Sequence, residues 1–243
     1  MTVSEKSMRE RMLAGELYIA DDPEIARDIA RAQRLSHEIN TIDPTDYDRR
    51  RELLTELFGS FGEGAEIRPP LHCDYGYQTT FGARSFANFG LVILDVAKVT
   101  VGEDVQIGPN VQLLTATHPL EPGPRRDKWE AAEPVVIGDN VWLGGGVIVC
   151  PGVTIGENTV VGAGSVVTRD LPANVVAVGS PARVLRELLT PPAPARRFPA
   201  PGRTRRTGPP GGRAGTTRTA RTGSSTRPSG SSPSTASRVP RTG

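Results

Sequence analysis

His118 stands in the stretch TATHPLEPGPRRDKWEAAEPVVIG, at the one place where an otherwise regular repeat breaks. Histidine is the side chain whose ordinary titration range spans neutrality, so at the edge of a crevice it can act as a general base, typically worth 10²–10⁴-fold. A lone histidine more often serves structure, and it is the break in the pattern that singles this one out. Zinc-assisted chemistry would need about three histidines converging on one ion. The chain has only His37, His72 and His118, and His37 falls in a helical stretch, so no metal is expected.

The elements that must position His118 are legible on both sides of it. From Val101 onward, apolar-plus-small pairs recur every six residues: Val101-Gly102, Ile107-Gly108, Ile137-Gly138, Leu143-Gly144, Val149-Cys150, Ile155-Gly156 and Val161-Gly162. Four positions after each apolar residue comes a small or β-branched one: Val105, Val111, Val141, Val147, Val153, Thr159 and Ser165. Phe81-Gly82 with Ser85 fits the pattern two residues out of phase. A period of six is neither helical nor that of a sandwich; it predicts an all-β solenoid with three flat faces per coil. Each apolar residue then points inward and stacks on the one 18 positions later, while the small residue lets the chain turn a corner, where φ can be unusual. The span Leu113 to Ile137 is four whole hexads, so the solenoid is expected to resume in phase after the loop at 114–136.

Residues 1–60 predict a small helical region. A short helix around Ser7–Leu13 ends at Gly15; Asp22-Pro23 supplies an N-cap and N1 for a second, with Ile25, Ile29, Ala32, Leu35 and Ile39 on one face. A third presents Leu53, Leu54, Leu57 and Phe58 before Gly59. Three such helices bury little alone and must pack on the solenoid, assigned to 61–189.

Residues 190–243 are a different material. Pro and Gly make up 18 of the 53 residues from Pro191 on, and those 53 hold eleven Arg, no Lys and no acid. Such composition predicts a disordered tail, or less simply an Arg-rich arm for anionic partners. Of 29 basic groups, the 18 outside that segment face 27 acids, a net of −9, so the basic balance of the chain belongs to the tail and a nucleic-acid-binding body is excluded. No apolar run reaches the roughly 18 residues of a membrane span, and MTVSEKSMRERMLAGE has no signal-peptide core. Two cysteines, Cys73 and Cys150, make no disulfide framework. A cytoplasmic protein is expected.

The stretches AGELY, DYGYQTTFGARSFANF, ILDV, TATHP, IGDNVWLGGGVIVCPGVTIGENTVVGAGSVVTRDLP and VGSPARVLREL resemble the hexapeptide-repeat sugar O-acetyltransferases, most of all the maltose type, with galactoside and nodulation-factor acetyltransferases near. The resemblance runs from about Met8 to Leu189. It implies a left-handed parallel β-helix, a homotrimer with active sites between subunits, acetyl-CoA as cosubstrate and a sugar as acceptor. His118 matches the family's catalytic histidine, and Asn88 in SFANF matches an asparagine whose amide can donate to a developing oxyanion, a role worth roughly 3 kcal/mol.

On the acceptor side, Asp74 in CDYGY and Glu130 match family positions, and so does Asp95, although the galactoside enzymes carry their aspartate where this chain has Val96. Asp21 and Asp22 both lie near the family's N-terminal acceptor aspartate. Lys128 and Trp129 depart from the family's small polar residues, and a tryptophan there could stack on a sugar ring. For acetyl-CoA, the resemblance points to Trp142, Gly145, Ala163, Thr168, Arg169, Arg183 and Arg186. A non-sugar acceptor on the same scaffold and a non-catalytic assembly module are the alternatives. The AGELY region argues against the first, and the intact histidine and loop against the second.

Overall fold

The computed structural model describes residues 6–188; the expectations for the tail lie outside the described residues. The N-terminal region contains three helices, and the sequence supplies their ends. Helix α1 (Met8–Leu13) starts in a capping box of Ser7 and Glu10, and Gly15 turns the chain away at φ 71°. Helix α2 (Pro23–Thr41) is capped by the Asp22 side chain on the Glu24 N–H, with Pro23 in the first turn. Helix α3 (Tyr47–Leu57) buries Leu53, Leu54 and Leu57, and Phe58 follows them into the core.

These helices close the start of a solenoid. The Phe58 ring stacks on Phe61 and Phe81 at 6.0 and 6.4 Å between centroids, over the open end of the first coil. On the side, Asn40 of α2 exchanges two 2.8 Å hydrogen bonds with the backbone N–H and C=O of Leu71. An edge strand that could pair with another chain is thereby satisfied from within.

The solenoid has three parallel faces. The first holds strands Ser60–Phe61, Thr79–Phe81, Val99–Val101, Val135–Ile137 and Thr154–Ile155. The second holds Glu66–Ile67, Phe86–Ala87, Gln106–Ile107, Trp142–Leu143, Val160–Val161 and Val175–Gly179, closed by the antiparallel Ala182–Glu187. The third holds Leu71–Cys73, Leu91–Leu94, Gln112–Leu114, Ile148–Val149 and Val166–Val167. Inward residues form buried columns such as Ile107, Leu143 and Val161, each side chain contributing roughly 1.5–3 kcal/mol of apolar burial.

The expected 18-residue stacking holds in the later coils, where Ile137 pairs with Ile155 and Leu143 with Val161. The first two coils are 20 residues long, pairing Phe61 with Phe81 and Phe81 with Val101. This is the phase slip at Phe81. The surplus sits at one corner, where the chain takes eight residues from Cys73 to Phe81 and from Ile93 to Val101 instead of six. In the third coil that same corner throws out the long loop, and the solenoid resumes in register, Leu113 pairing with Val149.

One local expectation is corrected. The hexad glycines do not supply the unusual φ; Asp104, Asn110, Asn140, Gly146, Gly152, Asn158 and Gly164, two positions further on, adopt it. What the hexad demands is space. A Cβ on Gly108 would lie 2.5 Å from the backbone N of Gly145, and one on Gly144 2.5 Å from that of Ala163, so coils could not stack at this distance.

Candidate active site

The corner between the third and first faces gathers the carboxylates. Asp74 is half-buried there, and its carboxyl is lifted to about 6 by burial first, then by the nearby charges of Asp95 and Glu130. Asp95, one coil on, is fully buried. It accepts the Tyr75 N–H at 2.9 Å and the Thr79 hydroxyl at 3.1 Å, so it closes the eight-residue turn beneath Asp74. Burial raises its pKa while the donated N–H groups of Tyr75 and Gly76 oppose that. In the third coil Thr115 takes the equivalent place, bonding Leu94 C=O at 2.6 Å. His118, exposed, follows three residues later, where the loop departs.

That loop is a folded hairpin. Strands Ala116–Thr117 and Trp129–Ala132 pair antiparallel around the short helix α4 (Pro122–Arg126). The strand Tyr18–Ile19 joins the hairpin from the N-terminal region, Tyr18 opposite Glu130 and Ile19 opposite Trp129. The Tyr18 hydroxyl, buried, donates to Glu130 Oε2 at 3.0 Å. Neighbours on a strand point to opposite sides, so Trp129 faces away from the side on which Glu130 meets Tyr18.

The corner between the second and third faces carries the rest. Asn88 leaves the Phe86–Ala87 strand there; its Oδ1 accepts the Phe89 N–H at 2.8 Å, which leaves the amide nitrogen as the donor for another group. Gly145 and Ala163 occupy the same corner two and three coils further along. Trp142, Arg183 and Arg186 lie exposed on the second face. Thr168 and Arg169 lie at the other corner, the one from which the His118 loop departs. The sequence-derived site residues thus fall into two sets bordering opposite edges of the third face. Two cavities of 210 and 220 Å³ border α3 and α2 respectively, and neither is lined by His118, Asn88 or Asp74.

A model described as the maltose acetyltransferase hexapeptide capping motif matches residues 11–62, and one for the bacterial transferase hexapeptide, six repeats, matches 134–169. The chain is 50% identical over 179 residues to nodulation protein L of Rhizobium meliloti strain 1021, covering 74% of this chain and 98% of that one. The crystal structure of a maltose O-acetyltransferase from Clostridium difficile 630 superposes with TM-score 0.75 and 43% identity, over 76% of this chain and 99% of that one. A galactoside acetyltransferase in complex with coenzyme A gives 0.74 and 40%, over 76% and 92%.

The chain belongs to the hexapeptide-repeat sugar O-acetyltransferase family. It is accordingly an acyltransferase, and no helix among the described residues is long and apolar enough to cross a membrane. The capping motif of this acetyltransferase spans the last three residues of α1, the Tyr18–Ile19 strand, and the whole of α2 and α3.

One expectation changes. Asp95 has no surface to offer an acceptor, because its carboxylate is spent on the Tyr75–Thr79 turn. Trp129 is half-buried in the three-stranded sheet, opposite Ile19. Sequence reasoning passed over Tyr18 and Tyr75. The signals were AGELY for Tyr18 and CDYGY for Tyr75, and a two-residue strand has no periodicity to reveal its partner.

Proposed function

We propose that this acetyltransferase transfers the acetyl group of acetyl-CoA to a hydroxyl of a maltose- or glucose-like sugar, in a homotrimer whose sites each use two subunits. One observation supports this reading: His118 and Asn88 border opposite edges of one face, as expected if the site draws them from two copies. Among the described residues of its own chain, the exposed His118 side chain makes no hydrogen bond or ion pair, which agrees with a base oriented by substrate or by a neighbour.

In that arrangement His118 takes the proton of the acceptor hydroxyl as its oxygen attacks the thioester carbonyl. The Asn88 amide N–H donates to the carbonyl oxygen as it gains charge. The C–S bond then breaks, and the proton passes from His118 to the departing sulfur. Gly145 and Ala163 leave a narrow track for the pantetheine arm along the backbone, with Trp142 beside it. Arg183 and Arg186 suit the phosphates, and Thr168 and Arg169 would close the track from the neighbouring copy. Asp74 and Glu130 suit the acceptor's hydroxyls.

The test follows CoA release with acetyl-CoA and, in turn, maltose, glucose and an alkyl galactoside. Turnover with one of these and a loss of at least about 10²-fold in His118→Ala are expected. Ordinary turnover by His118→Ala contradicts the mechanism, and a response confined to non-sugar acceptors contradicts the substrate class.

A further inference from the structure

The contact between Tyr18 and Glu130 joins residues 112 positions apart and is made by neither the repeat nor the helices. Tyr18 is 1% exposed, and its ring packs with Met12, Ile25, Tyr75 and Val96. Its hydroxyl reaches out of this apolar cluster to one carboxylate oxygen at 3.0 Å, leaving Oε1 for another partner. The next residue is held too, the Ile19 N–H pointing to Met8 Sδ at 3.4 Å.

A second tie fixes the same segment to the same corner. Tyr77, in the turn that follows Asp74, donates to Asp28 of α2 at 2.9 Å, and Arg9 of α1 reaches the same oxygen at 2.7 Å. The rings of Tyr75 and Tyr77 lie 5.7 Å apart between these ties. The N-terminal segment therefore grips both the turn bearing Asp74 and the hairpin bearing Glu130. Two carboxylates brought this close repel one another. A buried neutral donor from a rigid cluster is a physical means of keeping one of them in place.

We propose that Tyr18 is a positioning residue: through Glu130 it fixes the hairpin beyond His118, so the N-terminal segment builds the acceptor half of the site and leaves the acetyl-CoA half alone. Its ligand class is a polyhydroxylated acceptor that donates a hydroxyl to Glu130 Oε1. This rests on the reading of the acceptor side given above. It goes further by separating the two substrates, since the residues suited to acetyl-CoA lie on the coils and not on the hairpin.

The experiment uses the full chain with Tyr18→Phe, which keeps the ring. The KM for the sugar acceptor should rise roughly ten-fold, the scale of a hydrogen bond to a charged group, with the KM for acetyl-CoA within two-fold of the parent. Tyr18→Phe placed on Glu130→Gln should add little, because the two act through one contact. An equal change in both KM values, no change in either, or full additivity overturns the proposal. A second measurement needs no turnover: trypsin cleavage at the exposed Arg125, Arg126 and Lys128 of the hairpin should speed up in Tyr18→Phe. Unchanged cleavage there overturns the proposal even if the acceptor proves to be another compound. Faster cleavage in a protein that acetylates no sugar sinks only the substrate assignment.

Discussion

The Glu130 carboxylate stands near enough to Asp74 that its charge, added to burial and to that of Asp95, lifts the Asp74 carboxyl to about 6. An ionised carboxylate accepts hydroxyl protons better than a neutral acid, so acceptor affinity should fall as pH drops through about 6. In Glu130→Gln one repelling charge is gone, Asp74 ionises more readily, and the fall should move to lower pH by up to about one unit. Acceptor binding against pH is the measurement, since it leaves proton transfer by His118 aside. A midpoint unmoved by the substitution would show that Asp74 does not govern acceptor binding.

The same carboxyl costs stability. Its folded pKa lies above its ordinary 3.8, so the folded state binds the proton more tightly and stability falls as pH rises from about 4 to about 6. Asp74→Asn removes that loss. Discounted for partial exposure, the gain at pH 7.5 is about 1 kcal/mol, or roughly 2–4 °C in Tm, and it should vanish near pH 4. Acceptor affinity should drop in the same variant, which sets function against stability at one residue.

Asp95 should behave in the opposite way. Asp95→Ala strips the Tyr75 N–H and Thr79 hydroxyl of their buried acceptor, at about 2–3 kcal/mol in a denaturant titration. Acetyl-CoA affinity, read at a temperature where the variant is folded, should stay at the parent's value. A fully stable Asp95→Ala would remove its role as the brace of the turn.

Lys128 precedes Trp129 with φ 70°, a conformation costing a side-chain-bearing residue roughly 1–2 kcal/mol. Glycine relieves that at about 0.5–1 kcal/mol of extra chain entropy, so Lys128→Gly should stabilise by about 0.5–1 kcal/mol. A loss of stability would mean that the lysine side chain contributes more than its backbone costs.

These relationships mark what the sequence made legible. The hexad pattern yielded the coil, the core columns and the in-phase return at Leu113 and Val149, because each inward residue answers to one local rule. The helix caps at Ser7 and Asp22 were equally local. The glycines were placed correctly and explained wrongly, since close approach between Gly108 and Gly145 depends on a coil 37 residues away. Asp95 matched a family position, yet the eight-residue turn it closes becomes visible only when coils stack. The pairing of Tyr18 with Glu130 was hidden for the same reason: two residues have no period, and their partner is set by where the hairpin lands.

The proposed shared site pairs one chain's His118 with another chain's Asn88. His118→Ala and Asn88→Ala variants, each inactive alone, are unfolded together at equal concentration, refolded and assayed for acetyl-CoA-dependent sugar acetylation. Random trimers leave one intact site in every hybrid, so roughly a quarter of the parent activity should return. If mixing restores nothing while hybrids demonstrably form, both residues serve from the same chain, and the shared site is contradicted.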